Sequence, residues 1–319
     1  VDYWVTGEGE NFVRKMFGVN KKFDFTNSII KWHESDHVFK SEHLPIEIAR
    51  GCIFKCSFCS YNLTGKKRGE YVKSPDTVKE ELLRNYDNYG TTGYMFCDDT
   101  YNDTVSKVKG YHDMIRSLPF DIDFSTYMRL DLIASKPETI DLLYDSGCRS
   151  VFFGIETFNH QAGKNIGKGM NPNKIKDTLY LLRERWPDTV ISAGFIAGLP
   201  YETEESLHET IDWLKKKDCP IDSPSLQVLS VGKKSKIGNN PFEFGIELTD
   251  YGWKSKWTDS KRMKEIVEST NFPIINNFTF YNRIKNLGLK KKYMTTSDFD
   301  VINKNYKKLF NNYKEKICA

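Results

Sequence analysis

Cys52, Cys56 and Cys59 fall within eight residues, in a C-x3-C-x2-C spacing. Thiolates are soft ligands. Three of them in one short loop can bind three irons of a cubane iron–sulfur cluster, or can contribute to a zinc site. A structural zinc site closes with a fourth Cys or His. None follows within twenty residues of Cys59, and His43 lies at the far end of the segment that precedes the loop. Iron–sulfur ligation is therefore the expectation, with one iron left open to something other than protein. The other four cysteines, Cys97, Cys148, Cys219 and Cys318, are scattered. Seven is an odd number for a disulfide framework, and a tight cluster reads as metal chemistry in a reducing, cytoplasmic compartment.

Elements must hold that loop in place. Leu44–Ala49 alternates apolar and polar residues and runs into Gly51, which predicts a strand feeding a loop. Ser74-Pro75 then opens a helix as cap and first-turn proline, and Gly90 ends it. The same unit repeats. Strands are predicted at 94–97, 122–128, 149–154, 189–196 and 226–229, with helices near 104–117, 135–147, 172–185 and 203–217. Such βα units build a parallel sheet through right-handed crossovers. Six are too few for an eight-fold barrel, so the fold class expected is α/β, a partial (βα)6 TIM-like barrel. In such folds the site lies at the C-terminal ends of the strands. The polar residues that end these strands are Asp98, Asp99, Ser125, Arg129 and Glu156. Glu156 ends an apolar run, so it is expected to be either paired or functional. Arg129 suits a carboxylate through its bidentate fork, or an ion pair with Asp131.

The cysteine motif, with Phe58 just before its last Cys, and the βα repeat behind it are similar to the radical SAM enzymes. The resemblance runs from Pro45 to about Leu229. It implies a 4Fe–4S cluster on Cys52, Cys56 and Cys59, with S-adenosylmethionine (SAM) chelating the open iron. Reductive cleavage of SAM would then yield a 5′-deoxyadenosyl radical that abstracts hydrogen from substrate. It also implies that Phe58 packs near the adenine, and that Asp98 or Asp99 accepts from the methionine ammonium. The family often has Gly-Gly-Glu at that point, where this chain has Cys97-Asp98-Asp99-Thr100. Ser125, Arg129 and Glu156 are expected to face the SAM sugar or amino acid. Gly194-x-Ile196-x-Gly198-x-x-x-Glu202 matches a family pattern whose backbone lines the adenine, and Gln227 and Val228 are expected to complete that slot.

Residues 1–10 and the Arg129-Leu130-Asp131 stretch resemble the cobalamin-dependent branch of that family. The cobalamin domain with its Asp-x-His-x-x-Gly loop does not occur in this sequence, so cobalamin is not expected from this chain alone. The expected chemistry is hydrogen abstraction from a peptide or small metabolite, leading to epimerisation, rearrangement or cyclisation. The alternatives are cobalamin-dependent methyl transfer and modification of a nucleic-acid base. Epimerisation needs a hydrogen-atom donor, and Cys97 at the end of the second strand is the candidate, with Cys148 and Cys318 behind it; each could equally be a small buried hydrophobe. An electron donor such as flavodoxin or ferredoxin is implied.

Composition sets the remaining bounds. A chain that is 39% hydrophobic and 28% charged can build a sizeable core. No run approaches the roughly 20 apolar residues of a membrane helix, and the N-terminus shows no basic-then-apolar pattern. The net charge of +4 implies no nucleic-acid partner by itself. The distribution is uneven: 281–319 holds ten Lys or Arg against three Asp or Glu. That segment could meet RNA, an acidic peptide or a membrane surface, or form a solvated helix face. The expected organisation is a lead-in at 1–43, a core at 44–240, and a basic, α-rich extension at 241–319 that covers the barrel mouth.

Overall fold

The computed structural model describes residues 3–6, 9–60, 71–270 and 272. The basic segment 281–319 and Cys318 lie outside the described residues, as does most of the extension proposed as a cover. Six parallel strands stand side by side in chain order: β1 (Leu44–Glu47), β2 (Gly93–Cys97), β3 (Asp123–Met128), β4 (Cys148–Glu156), β5 (Val190–Ala197) and β6 (Ser223–Val228). Among the described residues the sheet does not close, and β1 and β6 are its two edges. It is the expected partial (βα)6 TIM-like barrel.

The helices form where the sequence supplies caps. After α1 (Glu10–Met16) comes α2 (Pro75–Tyr89), whose cap Ser74 accepts from Thr77 N–H; Gly90 ends the helix in the left-handed region at φ +64°. Next are α3 (Val105–Arg116), α4 (Leu130–Ser135), α5 (Thr139–Asp145), α6 (His160–Asn165), α7 (Pro172–Arg185) and α8 (Glu204–Leu214). The stretch 135–147, expected as one helix, starts with the end of α4 and breaks at Lys136-Pro137 before α5. Proline disfavours helical backbone in the residue before it. Beyond β6, the connecting loop contains the single turn α9 (Lys236–Asn239). The described part of the extension holds a hairpin, β7 (Ile246–Thr249) with β8 (Gly252–Ser255), and α10 (Ser260–Ser269).

Strand residues divide between two faces, as the period of two requires. Tyr94, Phe96, Phe124, Val151, Phe153, Ala193 and Phe195 are buried against the helices. Phe195 meets Phe158 edge-on, and Phe158 in turn meets Trp213 of α8. The alternate set, including Met95, Tyr127, Phe152, Ile196 and Gln227, leans into the barrel and stays partly exposed. The apolar mass of the core thus lies outside the barrel, and the interior is left for a ligand. No helix among the described residues is long and apolar enough to cross a membrane.

The lead-in is tied to the core. Ser41 N–H donates to Tyr89 O at 2.7 Å, Tyr89 Oη donates to Trp32 O at 3.5 Å, and Arg84 donates to Ile30 O. Arg50 pairs with Glu10 and Glu47 and lies 4.7 Å above the Phe25 ring. Nearby, Lys73 and Glu81 form an ion pair at 3.5 Å, their side chains 1% and 0% exposed. Burial raises the pKa of the Glu81 carboxyl, opposed by Lys73. Removing one partner strands the other charge. Lys73→Met is expected to cost about 3 kcal/mol near neutral pH, and less as pH falls and the Glu81 carboxyl takes up a proton. Urea unfolding reads this, and an unchanged midpoint at neutral pH would show that the pair does not matter.

Candidate active site

The cysteine loop follows β1 and has no regular structure, so its backbone groups must find partners elsewhere. Ser57 N–H donates to Ile166 O at 3.2 Å, and Ser57 O accepts from Ile237 N–H at 2.9 Å. The loops after α6 and β6 thereby grip the middle of the motif. Cys52, Cys56 and Cys59 line one cavity of about 310 Å3, with Phe58 beside them. Asp99 and Thr100 enter from the end of β2, and Tyr127, Met128 and Arg129 from the end of β3. Phe152, Gly154 and Glu156 of β4 and Lys168, between α6 and α7, complete the wall.

The donor set suits a cluster. Among the described residues, no three His, Cys, Asp or Glu side chains converge on a single-ion position. Zinc holds sulfur at about 2.3 Å and so crowds its ligands round one point, whereas a cluster spreads one thiolate to each iron. Three thiols that face one cavity without converging fit the second case.

The charged groups are fixed by pairing. Lys168 Nζ donates to Gly154 O at 2.6 Å and to Glu156 Oε1 at 3.0 Å, with both side chains 11% exposed. Glu156 takes φ +72° where the β4–β5 register shifts, an unusual backbone for a residue with a side chain. Gly154 leaves room for the pair as it stands: a Cβ there would lie 2.5 Å from Glu156 Oε1 and 2.9 Å from Lys168 Nζ. The guanidinium of Arg129 forks onto Asp131 and also donates to Cys56 Sγ at 3.3 Å. The two aspartates separate. Asp98 is buried, pairs with Lys107 at 2.8 Å and accepts from Thr100 N–H; Asp99 is exposed and faces the cavity.

Other residues singled out from the sequence fall outside this wall. Ser125 is buried and donates to Tyr94 O at 3.4 Å. Gly194, Ile196, Gln227 and Val228 lie further round, on β5 and β6; Gly194 sits under the Phe152 ring. Gly198 has φ +89°, and a Cβ there would lie 2.3 Å from the ring of Trp253. Glycine at this position therefore makes room for Trp253, whose Nε1 donates to Leu229 O at 2.8 Å. Cys97 lies opposite Glu47 in register, and burial, with Glu47 and Asp98, pushes its thiol up to about 11. Cys148 is fully buried on the helix side of the sheet. Lys168, Tyr127, Phe152 and Thr100 were not singled out. Lys168 lies in a loop between two glycines, where no periodicity marks a direction.

The chain matches the Radical SAM superfamily model over residues 46–214, more than half its length, and belongs to that superfamily. Members use a 4Fe–4S cluster and SAM, and the chain is an enzyme of this class. It is 30% identical over 183 residues to an uncharacterized methyltransferase of Pyrococcus horikoshii, covering 56% of this chain and 39% of the relative. It is 24% identical to bacteriochlorophyllide d C-8(2)-methyltransferase of Chlorobaculum tepidum, covering 71% of this chain and 50% of the relative. The chain thus spans half or less of these relatives' length. The fold is similar to that of the radical SAM methyltransferase TsrM from Kitasatospora setae, solved with cobalamin and a 4Fe–4S cluster. That match has a TM-score of 0.59 at 14% identity and covers 85% of this chain and 61% of TsrM. The described residues hold no second α/β unit that could serve as a cobalamin domain.

Glu202 ends the glycine pattern. It accepts from Gly198 N–H at 2.8 Å and Thr157 Oγ1 at 2.9 Å, tying the ends of β4 and β5 together. Burial pushes its carboxyl up from 4.5 to about 7, against the lowering by these donors. The folded state then binds more protons than the unfolded state between about pH 4.5 and 7, so stability is lost as pH rises through that window. Between about pH 5 and 8 the parent is expected to lose roughly 1–3 kcal/mol relative to Glu202→Gln. Urea unfolding at several pH values tests this, and the opposite slope refutes it.

Proposed function

We propose that this cavity binds the cluster and SAM, and that the enzyme abstracts hydrogen from a C–H bond of a peptide or small-metabolite substrate. The observation that carries the reading is that the three motif thiols share one cavity with Asp99, Glu156 and Lys168 at the strand ends. Bound together, cluster and SAM supply one-electron cleavage of the sulfonium C–S bond and a 5′-deoxyadenosyl radical. In this reading Cys52, Cys56 and Cys59 each hold one iron. Asp99 accepts from the methionine ammonium, Lys168 donates to its carboxylate, and Glu156 accepts from a ribose hydroxyl. The adenine slot runs from Phe58 across Gly194 and Ile196 to Gln227 and Val228, with Gly198 shaping its far end and Ser125 supporting the floor. Tyr127, Met128 and Phe152 keep water from the reacting carbon. Cys97, whose thiol stays protonated at neutral pH, serves as hydrogen donor if the outcome is epimerisation. The core then spans 44–240, with 1–43 as lead-in and 241–319 as extension.

The electron enters from the outer side of the cysteine loop. Residues 51–60, 158–176 and 223–242 contain no Asp or Glu, and the backbone bonds at Ser57 bring the three segments together. Exposed Lys55, Lys233, Lys234 and Lys236 lie there, outside the cavity wall. This supports docking of an acidic one-electron carrier of the flavodoxin or ferredoxin kind.

A second reading is supported by the relatives named as methyltransferases: transfer of the SAM methyl group, with cobalamin held by another polypeptide segment. Products separate the two. Anaerobic turnover with substrate extract is expected to release 5′-deoxyadenosine without S-adenosylhomocysteine, and formation of S-adenosylhomocysteine, with or without 5′-deoxyadenosine, favours methyl transfer. Cys56→Ala should abolish reductive SAM cleavage, and undiminished 5′-deoxyadenosine would sink the radical SAM site. Lys168→Ala should weaken SAM binding by about tenfold, read by calorimetry on the reconstituted protein.

A further inference from the structure

Two side chains at the ends of neighbouring strands place a polar atom beside a motif sulfur. Arg129 Nη1 lies 3.3 Å from Cys56 Sγ, and Thr100 Oγ1 lies 3.1 Å from Cys52 Sγ. We infer that Arg129 and Thr100 set the reduction potential of the cluster by hydrogen bonding to its ligand thiolates. The inference rests on the cluster reading above.

The guanidinium is held so that it can do little else. Its Nε and Nη2 are engaged by Asp131 at 2.9 and 2.5 Å, and its face lies 4.0 Å from the Phe54 ring centroid. The Arg129 backbone is clamped by one buried side chain: Asn102 Oδ1 accepts its N–H at 3.0 Å, and Asn102 Nδ2 donates to its carbonyl at 2.8 Å. Nη1 is thereby directed at Cys56 before any metal binds. The side chain is only 8% exposed, so water competes poorly for that donor.

Thr100 is 2% exposed, and its N–H is fixed by Asp98 Oδ1 at 2.9 Å. Its single hydroxyl proton has two acceptors in reach, Asp99 O at 2.7 Å and Cys52 Sγ. Against a protonated thiol, the hydroxyl donates to the carbonyl and accepts from sulfur. Against an iron-bound thiolate the S–H is gone, and the hydroxyl can turn its proton to sulfur.

Adding one electron to the cluster increases negative charge on its thiolates. A donor at a thiolate stabilises that charge more in the reduced form than in the oxidised form, so it raises the potential. Neither residue needs to touch substrate. Each acts through a ligand sulfur, and the quantity that reports it is the potential rather than turnover.

The test is an anaerobic, EPR-monitored redox titration of the reconstituted full chain with four irons bound. Arg129→Gln and Thr100→Val should both move the midpoint to more negative potential. At a fixed applied potential near the parent midpoint, the ratio of reduced to oxidised cluster should fall about tenfold for Arg129→Gln and about threefold for Thr100→Val. Arg129→Lys should shift it less, and Thr100→Ser should restore the parental value. Fully loaded Arg129→Gln and Thr100→Val proteins with the parental midpoint overturn the inference. If Arg129→Gln does not hold its iron, the near-isosteric Thr100→Val and its Ser rescue decide it alone. A parent chain that assembles no sulfide-bridged cluster overturns the underlying cluster reading, a separate and recognisable result.

Discussion

The two backbone hydrogen bonds at Ser57 are the constraint on which the site depends. The loop that carries the three motif cysteines has no regular structure, so its backbone groups find no partners in a helix or strand ladder of their own. The loop must therefore be held by its backbone, from outside. Ile166 accepts from Ser57 and Ile237 donates to it, so the loops after α6 and β6 hold the cysteines over the strand ends. The parallel sheet makes this possible. All six strands run the same way, so every loop that follows a strand emerges on one rim.

Charge in and behind the cavity wall is managed by pairing buried ions locally. Lys168 with Glu156, Arg129 with Asp131, and Lys107 with Asp98 are each within hydrogen-bonding distance. Burial would raise the pKa of Asp131, but Arg129 outweighs it and keeps the carboxyl below its usual value. Such pairs hold charged groups in a largely dry wall at modest net energetic cost, since an unpaired buried charge costs several kcal/mol. They also leave a few polar side chains lining the cavity.

Much of the architecture was legible in the sequence because its signals are local. Ser74-Pro75 and Gly90 bracket α2, and Thr203 with its two following glutamates opens α8. The short elements were not legible. α6 is six residues long with a glycine inside it, and α4 follows β3 with no linker, so neither shows a full apolar period. The hairpin β7–β8 offers only four residues a strand. Lys168 carries no periodic signal, and its place beside Glu156 depends on a contact 12 residues away in the chain.

The sequence by itself determined that three cysteines share one short loop, and how strands and helices alternate along the chain. Cysteine spacing, caps and hydrophobic alternation act within a few residues, so they can be read along the chain. Tertiary structure alone decided which of Asp98 and Asp99 faces the cavity, that Lys168 joins Glu156 there, and that Arg129 meets both Asp131 and Cys56. Those outcomes depend on how loops from separate strands pack on one rim, and on which donor lies near which acceptor once water is excluded. Packing of that kind is a property of the folded chain as a whole, and no short window of residues encodes it.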